Sequence, residues 1–457
     1  MQDLTQGSIP RHLVTLSLPI SIGMLVQTLY YLVDLYFVAG LGDATLAGVS
    51  AAGTLTFVVL ALTQMLSVGT VALIAPAVGR KDQAGANLVF NQSVMLAALC
   101  AVLTLVGGYT LGVAYLHAVS ANEETIAAGL AYLYWYTPGL ALQYALASMG
   151  AALRGTGVVK PTMIVQMITV LANVVLAPIL IAGWFTGHPL GAAGAGLATT
   201  LSVILGVALM VWYFVRLEHY VGWDSTLIRP RPGVWKDMLN LGLPAGGEFL
   251  LMFVYMSVIY AVIADFGAAA QAGFGIGTRV MQAVFLPALA IAFAVPPLGG
   301  QNMGARKPDR VRETIRTAIL IEAMLMALLT LTCQVYPEGF IRPFTQDAAV
   351  LAVGVTFLRV VSWNFVFSGF NFACSGMFQA LGNTWPALFS TATRLVTFAV
   401  PVWWLAHQPG FEIVHVWYLS VATVSLQAML SMLLLRVQMN AKLGEMMAAD
   451  TGGGGRR

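Results

Sequence analysis

The sequence predicts an all-α polytopic membrane protein with twelve transmembrane helices in two six-helix lobes related by a parallel internal repeat. Three observations support this fold class: the composition, long apolar blocks and a repeat at a fixed offset. Of the 457 residues, 59% are hydrophobic and only 9% are charged, against roughly 25% charged in an average soluble domain. So few charges could not cover the surface of a soluble protein of this length, so the composition indicates a membrane protein.

The apolar residues come in blocks such as Val94–Val106 and Met163–Ala182. Helices of roughly 20 residues cross about 30 Å of hydrocarbon, where backbone amides must be satisfied internally. Sustained in/out alternation is absent, so helices rather than barrel strands are predicted. The twelve helices are expected at 10–39, 45–79, 84–117, 123–153, 158–183, 190–217, 233–266, 269–303, 309–336, 347–381, 384–407 and 412–439.

The basic residues give the orientation in the membrane. Most of the 22 Lys and Arg residues fall on the side that holds both predicted termini, and cytoplasmic loops are the ones enriched in Lys and Arg. We therefore expect a multi-pass protein of the inner (plasma) membrane with both termini cytoplasmic. An even number of spans agrees with this expectation.

An internal repeat divides the chain into halves. Leu16, Leu18, Pro19, Gly42, Gly79 and Pro161 recur 225 positions later as Leu241, Leu243, Pro244, Gly267, Gly304 and Pro386. Because six spans per copy is an even number, the halves should insert in the same orientation. The predicted domains are an N-terminal lobe over 1–217, a cytoplasmic linker over 218–232, a C-terminal lobe over 233–440 and a disordered cytoplasmic tail over 441–457.

Asp34 is a carboxylate inside an apolar helix, where an ionisable group costs on the order of 2.5–3.5 kcal/mol. At helical spacing it shares a polar stripe with Gly23, Gln27 and Tyr30. Such a face predicts a wet cavity in which the carboxylate binds a cation on one side of the membrane and releases it on the other. A structural acid bonded to nearby tyrosine hydroxyls is the alternative.

Further polar residues lie inside other predicted spans. Gln166, Thr169 and Asn173 form a second stripe, although Asn173 could also serve as a helix–helix hydrogen bond. In the C-terminal lobe Glu248 shares a stripe with Met252 and Tyr255. The candidates for lining a substrate cavity are Gln27, Tyr30, Gln166, Glu248, Met252, Tyr255 and Arg279. Glu322, Arg279, Arg359 and Arg394 either serve transport or neutralise one another as buried pairs.

Five motifs together resemble the MATE (multidrug and toxic compound extrusion) family. They are Leu18-Pro19, Val33-Asp34 before Gly40-Leu41-Gly42, Leu153-Arg154-Gly155-Thr156-Gly157 with Pro161, Asn173-Val174-Val175-Leu176, and the stretch Leu190–Thr199. The N-lobe motifs are most similar to the DinF-like branch. The resemblance implies a secondary antiporter that exports amphipathic, often cationic compounds in exchange for H⁺ or Na⁺.

The resemblance also implies roles for residues. Asp34, Asn173 and Thr199 match the ion-coupling set of the N-lobe, and Glu248 resembles a cation- or drug-binding glutamate of other branches. One turn after Asn173, however, the DinF-like aspartate is replaced by Ala177-Pro178. Hard cations prefer several oxygen ligands including charged ones, so this departure favours H⁺ coupling through Asp34 over Na⁺ held at Asp34, Asn173 and Thr199.

The expected function is cation-coupled antiport of drugs or metabolites by alternating access. A flippase for a lipid or lipid-linked saccharide is the alternative, motivated by the C-lobe arginines. HExxH, Walker A and GxSxG motifs are absent from the sequence, so we expect no enzyme, no cofactor and no metal site other than the Na⁺ alternative. The expected partners are a small-molecule substrate, H⁺ or Na⁺, and the lipid bilayer. We expect no nucleic-acid partner, and we expect the protein to be a monomer.

Overall fold

A computed structural model of the chain describes residues 1–120 and 122–452, without the side chains of residues 31–35 and 448–452. The apolar blocks form helices, because a helix satisfies its own backbone hydrogen bonds where water is absent. The helices are α1 (Ile9–Ala39), α2 (Asp43–Gly53), α3 (Leu55–Gly79), α4 (Gln83–Val119), α5 (Glu123–Gly155), α6 (Lys160–Ile181), α7 (Gly191–Arg216), α8 (Pro232–Ile263), α9 (Ala268–Gly304), α10 (Pro308–Val335), α11 (Pro337–Ile341), α12 (Ala348–Val361), α13 (Asn364–Ala380), α14 (Trp385–Ala406) and α15 (Ile413–Gly452).

Twelve helical segments account for the twelve predicted spans within the described part of the chain. Ten are long and apolar enough to cross a membrane, and the bent pair α12–α13 makes an eleventh. The twelfth is α5, whose 33 residues give a length of about 50 Å at 1.5 Å per residue. Its tyrosines and Gln143 make it less apolar than the others. The predicted fold class is confirmed.

Two predicted single helices are broken. The span predicted over 45–79 is divided into α2 and α3 at Thr54. The span predicted over 347–381 bends by 56° between α12 and α13. At the second break, Thr330 of α10 donates to the Ser362 carbonyl (2.9 Å), and Gln334 donates to the Arg359 carbonyl (2.5 Å). Side chains of α10 thus replace backbone hydrogen bonds that the bend removes.

The end of the chain also differs from the prediction. Helix α15 continues to Gly452 and so includes the first part of the segment 441–457, for which the sequence analysis predicts disorder. Residues 441–449 are mostly strong helix formers. Lys442 and Glu445 add an ion pair of 3.4 Å at i,i+3 spacing. Local propensity is therefore sufficient to prolong the helix.

The backbone repeats its unusual conformations at the offset of the sequence repeat. Three pairs of residues with positive φ lie 225 positions apart: Gly42 (104°) and Gly267 (89°), Lys81 (61°) and Arg306 (53°), and Gly157 (80°) and Gly382 (72°). Non-glycine residues rarely adopt positive φ. Their recurrence shows that both halves follow one backbone plan.

A close helix contact repeats at the same offset. A Cβ atom on Gly48 of α2 would collide with the Thr125 carbonyl of α5. One on Gly273 of α9 would lie 2.9 Å from the Val350 carbonyl of α12. Small residues let helix backbones approach closely in membrane proteins. Here a glycine and its partner residue occupy equivalent positions in both halves.

Packing divides the chain into two compact units. Unit 1 comprises Met1–Asp3 and Ile22–Gly246, and unit 2 comprises Leu4–Ser21 and the chain from Gly247 onward. The sequence repeat instead predicts lobes that begin at residues 1 and 233. The difference arises because the leading parts of α1 and α8 each belong to the other unit, which a repeat offset alone does not reveal.

In unit 1, the segment that precedes α8 is bound to α4. Asn91 Nδ2 donates to the Gly222 carbonyl (2.9 Å), and Gln92 Nε2 donates to the Leu227 (2.6 Å) and Arg229 (2.8 Å) carbonyls. The Arg231 N–H donates back to Gln92 Oε1 (2.8 Å). Gln92 is wholly buried, so its amide serves to anchor this linker.

In unit 2, the segment that precedes α1 is bound to the α9–α10 turn. The Leu4 N–H donates to Gln301 Oε1 (3.0 Å), and Asn302 Nδ2 donates to the Leu4 carbonyl (3.2 Å). Arg310 reaches the Gly7 carbonyl (2.9 Å). The first residue of α10, 308, is the repeat counterpart of Gln83, the first residue of α4. The leading segment of each half is therefore anchored beside an equivalent helix start.

Candidate functional site

The predicted polar residues of unit 1 lie together on three helices. Gln166 Nε2 of α6 donates to Gln27 Oε1 of α1 at 2.9 Å. The Tyr30 hydroxyl of α1 lies 2.8 Å from Thr199 Oγ1 of α7. Thr199 Oγ1 also donates to the Ala195 carbonyl (3.2 Å). These two bonds connect α1 with α6 and with α7.

Gly23 allows Gln166 to approach α1. A Cβ atom at Gly23 would lie 2.8 Å from Gln166 Oε1, which is closer than real Cβ contacts allow. The glycine is one turn before Gln27 on the predicted polar face. Its missing side chain therefore makes room for the amide of α6.

Asn173 is a buried amide without a partner. Its side chain is 0% exposed, and neither Nδ2 nor Oδ1 has a hydrogen-bond partner among the described residues. An unsatisfied buried polar group costs about 1–3 kcal/mol. Pro178 adds to the local polarity, because it has no N–H to give to the Val174 carbonyl. Native proteins rarely keep such groups, so Asn173 remains a candidate ligand.

Asp34, the predicted coupling acid, lies outside the residues whose side chains the structure describes. Its backbone belongs to α1. The sequence spacing of four residues predicts that Asp34 shares a face of α1 with Tyr30. The role of Asp34 remains a prediction.

The predicted cavity residues of unit 2 are not all exposed. Glu248 is partly exposed and accepts a hydrogen bond from Ser375 Oγ of α13 at 3.4 Å. Met252 is 40% exposed, whereas Tyr255 is 4% exposed within the apolar core of unit 2. Arg279 of α9 is exposed. Of these four residues, Tyr255 is therefore covered by the core, whereas the other three are at least partly exposed.

Tyr255 is the repeat counterpart of Tyr30 and makes a similar bond. Its hydroxyl lies 2.9 Å from Ser420 Oγ of α15, as that of Tyr30 reaches α7. The Arg394 guanidinium lies 4.0 Å above the Tyr255 ring, a cation–π contact. Asn364 Nδ2 donates to Ser420 Oγ (3.2 Å), while its Oδ1 is buried without a partner among the described residues.

The two units differ at the ion-coupling positions. The repeat offset of 225 places Ile259 where unit 1 has Asp34 and Phe398 where it has Asn173. Ile259 is 3% exposed and Phe398 is wholly buried. Unit 2 therefore has an apolar core at the place where unit 1 has its candidate cation site.

The sequence analysis missed a polar stripe on α15. Ser420, Thr423, Gln427 and Ser431 are all buried. Ser431 Oγ donates to Asn371 Oδ1 (2.9 Å), and Gln427 Nε2 donates to Thr391 Oγ1 (3.1 Å). Their spacing of three, four and four residues is a helical periodicity. The same search that found Gln166, Thr169 and Asn173 would have found them.

Of the two alternatives for the C-lobe charges, mutual neutralisation as buried pairs is not seen among the described residues. Glu322 is 0% exposed, and neither carboxylate oxygen has a partner within the described residues. Arg279 and Arg359 are exposed, and Arg394 contacts the Tyr255 ring instead. The helical positions of these residues place their side chains apart.

Two surface clefts lie away from the polar residues of α1, α6 and α7 and from those of α15. One, of about 570 Å³, lies between α5 and α7 and is almost wholly apolar, as a surface facing lipid would be. The other, of about 660 Å³, lies between the start of α4 and the linker, beside Asn87 and Asp224. There the Thr226 hydroxyl (2.7 Å) and the Thr226 N–H (2.9 Å) both donate to Asp224. Both bonds lower the pKa of that carboxyl, the hydroxyl bond more than the N–H bond. Among the described residues, no group of three or more His, Cys, Asp and Glu side chains is placed to hold a metal ion.

Comparisons with known proteins agree over nearly the whole chain. The sequence profile of the family described as MatE matches twice, at residues 19–179 and 244–405. Probable multidrug resistance protein YoeA of Bacillus subtilis (strain 168) is 26% identical over 436 residues, 93% of each chain. Multidrug export protein MepA of Staphylococcus saprophyticus is 25% identical, over 97% of each chain. The crystal structure of MATE in the bent conformation superposes with a TM-score of 0.91 at 25% identity, covering 97% of this chain and 98% of that one.

Proposed function

This chain belongs to the MatE family, and from that premise we propose that it is a cation-coupled antiporter that exports amphipathic, often cationic drugs or metabolites by alternating access. H⁺ is the proposed coupling ion rather than Na⁺. The proposal is supported by relatives named as multidrug export and multidrug resistance proteins. It is also supported by the internal repeat of two membrane-embedded halves, which is typical of secondary transporters.

The observation that carries the proposal is the polar cluster of unit 1. It combines the unpartnered amide of Asn173 with the Tyr30–Thr199 and Gln27–Gln166 bonds. The sequence spacing predicts Asp34 on the same helix face as Tyr30, one turn further along α1. A carboxylate beside unsatisfied polar groups is suited to bind a cation and to release it when the surroundings change.

The ligand set favours H⁺ over Na⁺. A Na⁺ ion requires several oxygen ligands, including charged ones, in close geometry. Ala177 and Pro178 stand where a second aspartate would supply that charge. A proton needs a single carboxylate, which Asp34 provides.

Gradient-driven efflux of a fluorescent cationic dye from membrane vesicles tests the proposal. We expect efflux under an imposed pH gradient in the wild type and its loss in Asp34→Asn, which keeps the size of the side chain but cannot titrate. Asp237→Asn removes an exposed acid of α8 outside the cluster and should leave efflux unchanged. Undiminished pH-driven efflux in Asp34→Asn would remove Asp34 from the mechanism. Efflux driven only by a Na⁺ gradient would overturn the assignment of H⁺ as the coupling ion.

A flippase for a lipid or lipid-linked saccharide is a second candidate function. It is supported by Arg394, which has no carboxylate partner among the described residues and whose Nε is buried without a hydrogen bond. Such a guanidinium could attract a phosphate or another anion. Movement of a fluorescent anionic lipid between leaflets, with no dye efflux, would favour this function.

We further propose that both termini are cytoplasmic, in the plasma membrane of a bacterium, and that the monomer is the working unit. The distribution of Lys and Arg supports the orientation. Labelling of single cysteines placed at Ser8 and at Glu445 by a membrane-impermeant maleimide should require permeabilised cells. Labelling of either position in intact cells would reverse the topology.

A further inference from the structure

Glu322 lies in the centre of α10 in an apolar environment. Its side chain is 0% exposed, and both carboxylate oxygens lack hydrogen-bond partners among the described residues. Gly369 of α13 packs directly against it, since a Cβ there would lie 3.1 Å from Glu322 Oε2 and 3.3 Å from Met326 Cγ. Keeping a carboxylate ionised in such surroundings is costly, and a bound proton removes that cost.

The repeat shows that packing does not require an acid at this position. The positions 225 residues earlier are Ala97 for Glu322 and Tyr144 for Gly369, and both belong to the buried core of unit 1. Unit 1 thus pairs the small Ala97 with the large Tyr144, whereas unit 2 pairs the larger Glu322 with the small Gly369. An apolar side chain would fill the space beside Gly369, so the carboxyl group is not explained by volume.

The ionisable groups around Glu322 do not neutralise it. Of the elements that pack on α10, α13 contributes Cys374, which is buried and whose thiol interacts electrostatically with Glu322. The charged or titratable residues on α9, α11, α12 and α15 up to Glu445 are Arg279, Glu338, Arg359, His415, Tyr418, Arg436, Lys442 and Glu445. Glu338 and Glu445 pair with Arg342 and Lys442, and no basic group among the described residues forms an ion pair with Glu322.

We propose that Glu322 is a second proton-binding site of this transporter, loaded in the conformation described here. A proton suits the site better than a metal ion, because the neighbours Gly369 and Met326 supply no side-chain oxygen and neither carboxylate oxygen has a partner among the described residues. Loading joins one proton from water to the carboxylate and gives a neutral acid. Release returns that proton to water and leaves the carboxylate.

The bend between α12 and α13 offers a way to open the site. Gly369 lies on α13, about one and a half turns after the 56° break. The break is held by α10 itself, through Thr330 and Gln334, two and three turns beyond Glu322. A change in the bend angle would move α13 relative to α10 and let water reach the carboxyl group.

This inference rests on the proposed function of proton-coupled antiport, and the number of protons per substrate tests it. In proteoliposomes held at zero membrane potential, the substrate gradient at equilibrium rises about tenfold per pH unit for each coupled proton. With both Asp34 and Glu322 coupled, we expect about 100-fold accumulation for one pH unit in the wild type and about 10-fold in Glu322→Gln. Glu313→Gln, on an exposed face of α10, should remain at the wild-type value.

Each outcome decides the matter. Equal accumulation in the wild type and in Glu322→Gln overturns the inference while leaving proton-coupled antiport intact. Glu322→Met, whose apolar side chain suits the site, gives the same comparison if the glutamine variant does not fold. If the wild type shows no pH-driven transport, the proposed function fails. Infrared spectra then decide whether Glu322 holds a proton, since a neutral-acid carbonyl band should disappear in Glu322→Gln or Glu322→Met and its persistence would refute the site.

Discussion

Buried polar side chains without partners carry most of the information at the residue scale. Asn173 and Glu322 are both 0% exposed and both lack hydrogen bonds among the described residues. By contrast, Asn91 and Gln92 are equally buried but are satisfied by linker carbonyls. Because an unsatisfied polar group costs stability whereas a satisfied one contributes to it, these two classes respond differently to the same substitution.

We expect Asn173→Leu to raise the melting temperature and to abolish gradient-driven efflux. Leucine has the same branched skeleton of four side-chain heavy atoms and removes an unsatisfied amide, which is worth about 1–3 kcal/mol, but it cannot bind a cation. Thermal unfolding in detergent and dye efflux in vesicles measure the two effects. Asn91→Leu is the matched control and should lower the melting temperature, because the Gly222 carbonyl and the Asp224 N–H lose their partner. Destabilisation by Asn173→Leu would contradict the reading of Asn173 as a ligand site.

At the element scale, short segments outside the membrane spans are held by buried amides. The linker before α8 is bound by Asn91 and Gln92 of α4, and the N-terminal segment is bound by Gln301 and Asn302 of α9. Each anchoring side chain reaches backbone groups, which are present whatever the linker sequence. The anchors therefore fix the path of the linker rather than recognise its side chains.

Gln92→Ala should release the linker without unfolding the helices. Three hydrogen bonds between Gln92 and the backbone of residues 227–231 are lost. At about 1 kcal/mol each, we expect amides of that segment to exchange with deuterium at least about tenfold faster. Hydrogen-exchange mass spectrometry provides the measurement. Gln271→Ala is the control, because the Gln271 side chain makes no hydrogen bond within the described residues, and it should leave exchange in the linker unchanged. If the linker of Gln92→Ala exchanges as slowly as that of the wild type, other contacts hold the linker.

At the scale of the whole molecule, the two halves repeat one backbone plan with different chemistry. The positive-φ residues and the glycine contacts recur at an offset of 225. The candidate ion-coupling side chains do not, since Asp34 and Asn173 correspond to Ile259 and Phe398. We expect the two halves to share a backbone but to differ in these buried side chains if only the first half binds the coupling cation at this position.

The repeat predicts matched effects of matched substitutions. Gly42 (φ 104°, ψ 163°) and Gly267 (φ 89°, ψ 178°) occupy a region that is essentially restricted to glycine, where other residues cost of order 1–3 kcal/mol. Gly42→Ala and Gly267→Ala should each lower the melting temperature by a similar amount. Lys81→Gly, at φ 61°, should be neutral or stabilising because it relieves left-handed strain. Unequal effects of the two alanine variants would show that the halves differ in local stability.

The resemblance to the MATE family and the twelve spans were predictable because they depend on local properties. Hydropathy and length identify a span such as Met163–Ala182 without reference to the rest of the chain, and α6 (Lys160–Ile181) confirms it. The break between α12 and α13 was not predictable in this way. It depends on Thr330 and Gln334 of another helix, whereas the prolines inside α5 and α9 leave those helices continuous.

By itself, the sequence determined the membrane class, the number of spans, the repeat and the helix faces that carry polar residues. Only the tertiary structure decided which of these faces meet: Tyr30 contacts Thr199, Tyr255 is buried against Ser420, and Glu322 has no arginine partner among the described residues. Helical periodicity fixes which side chains share one face of a helix. The helix that packs against that face is fixed by the folding of the whole chain, and it decides whether a buried polar group is satisfied or remains available for a ligand.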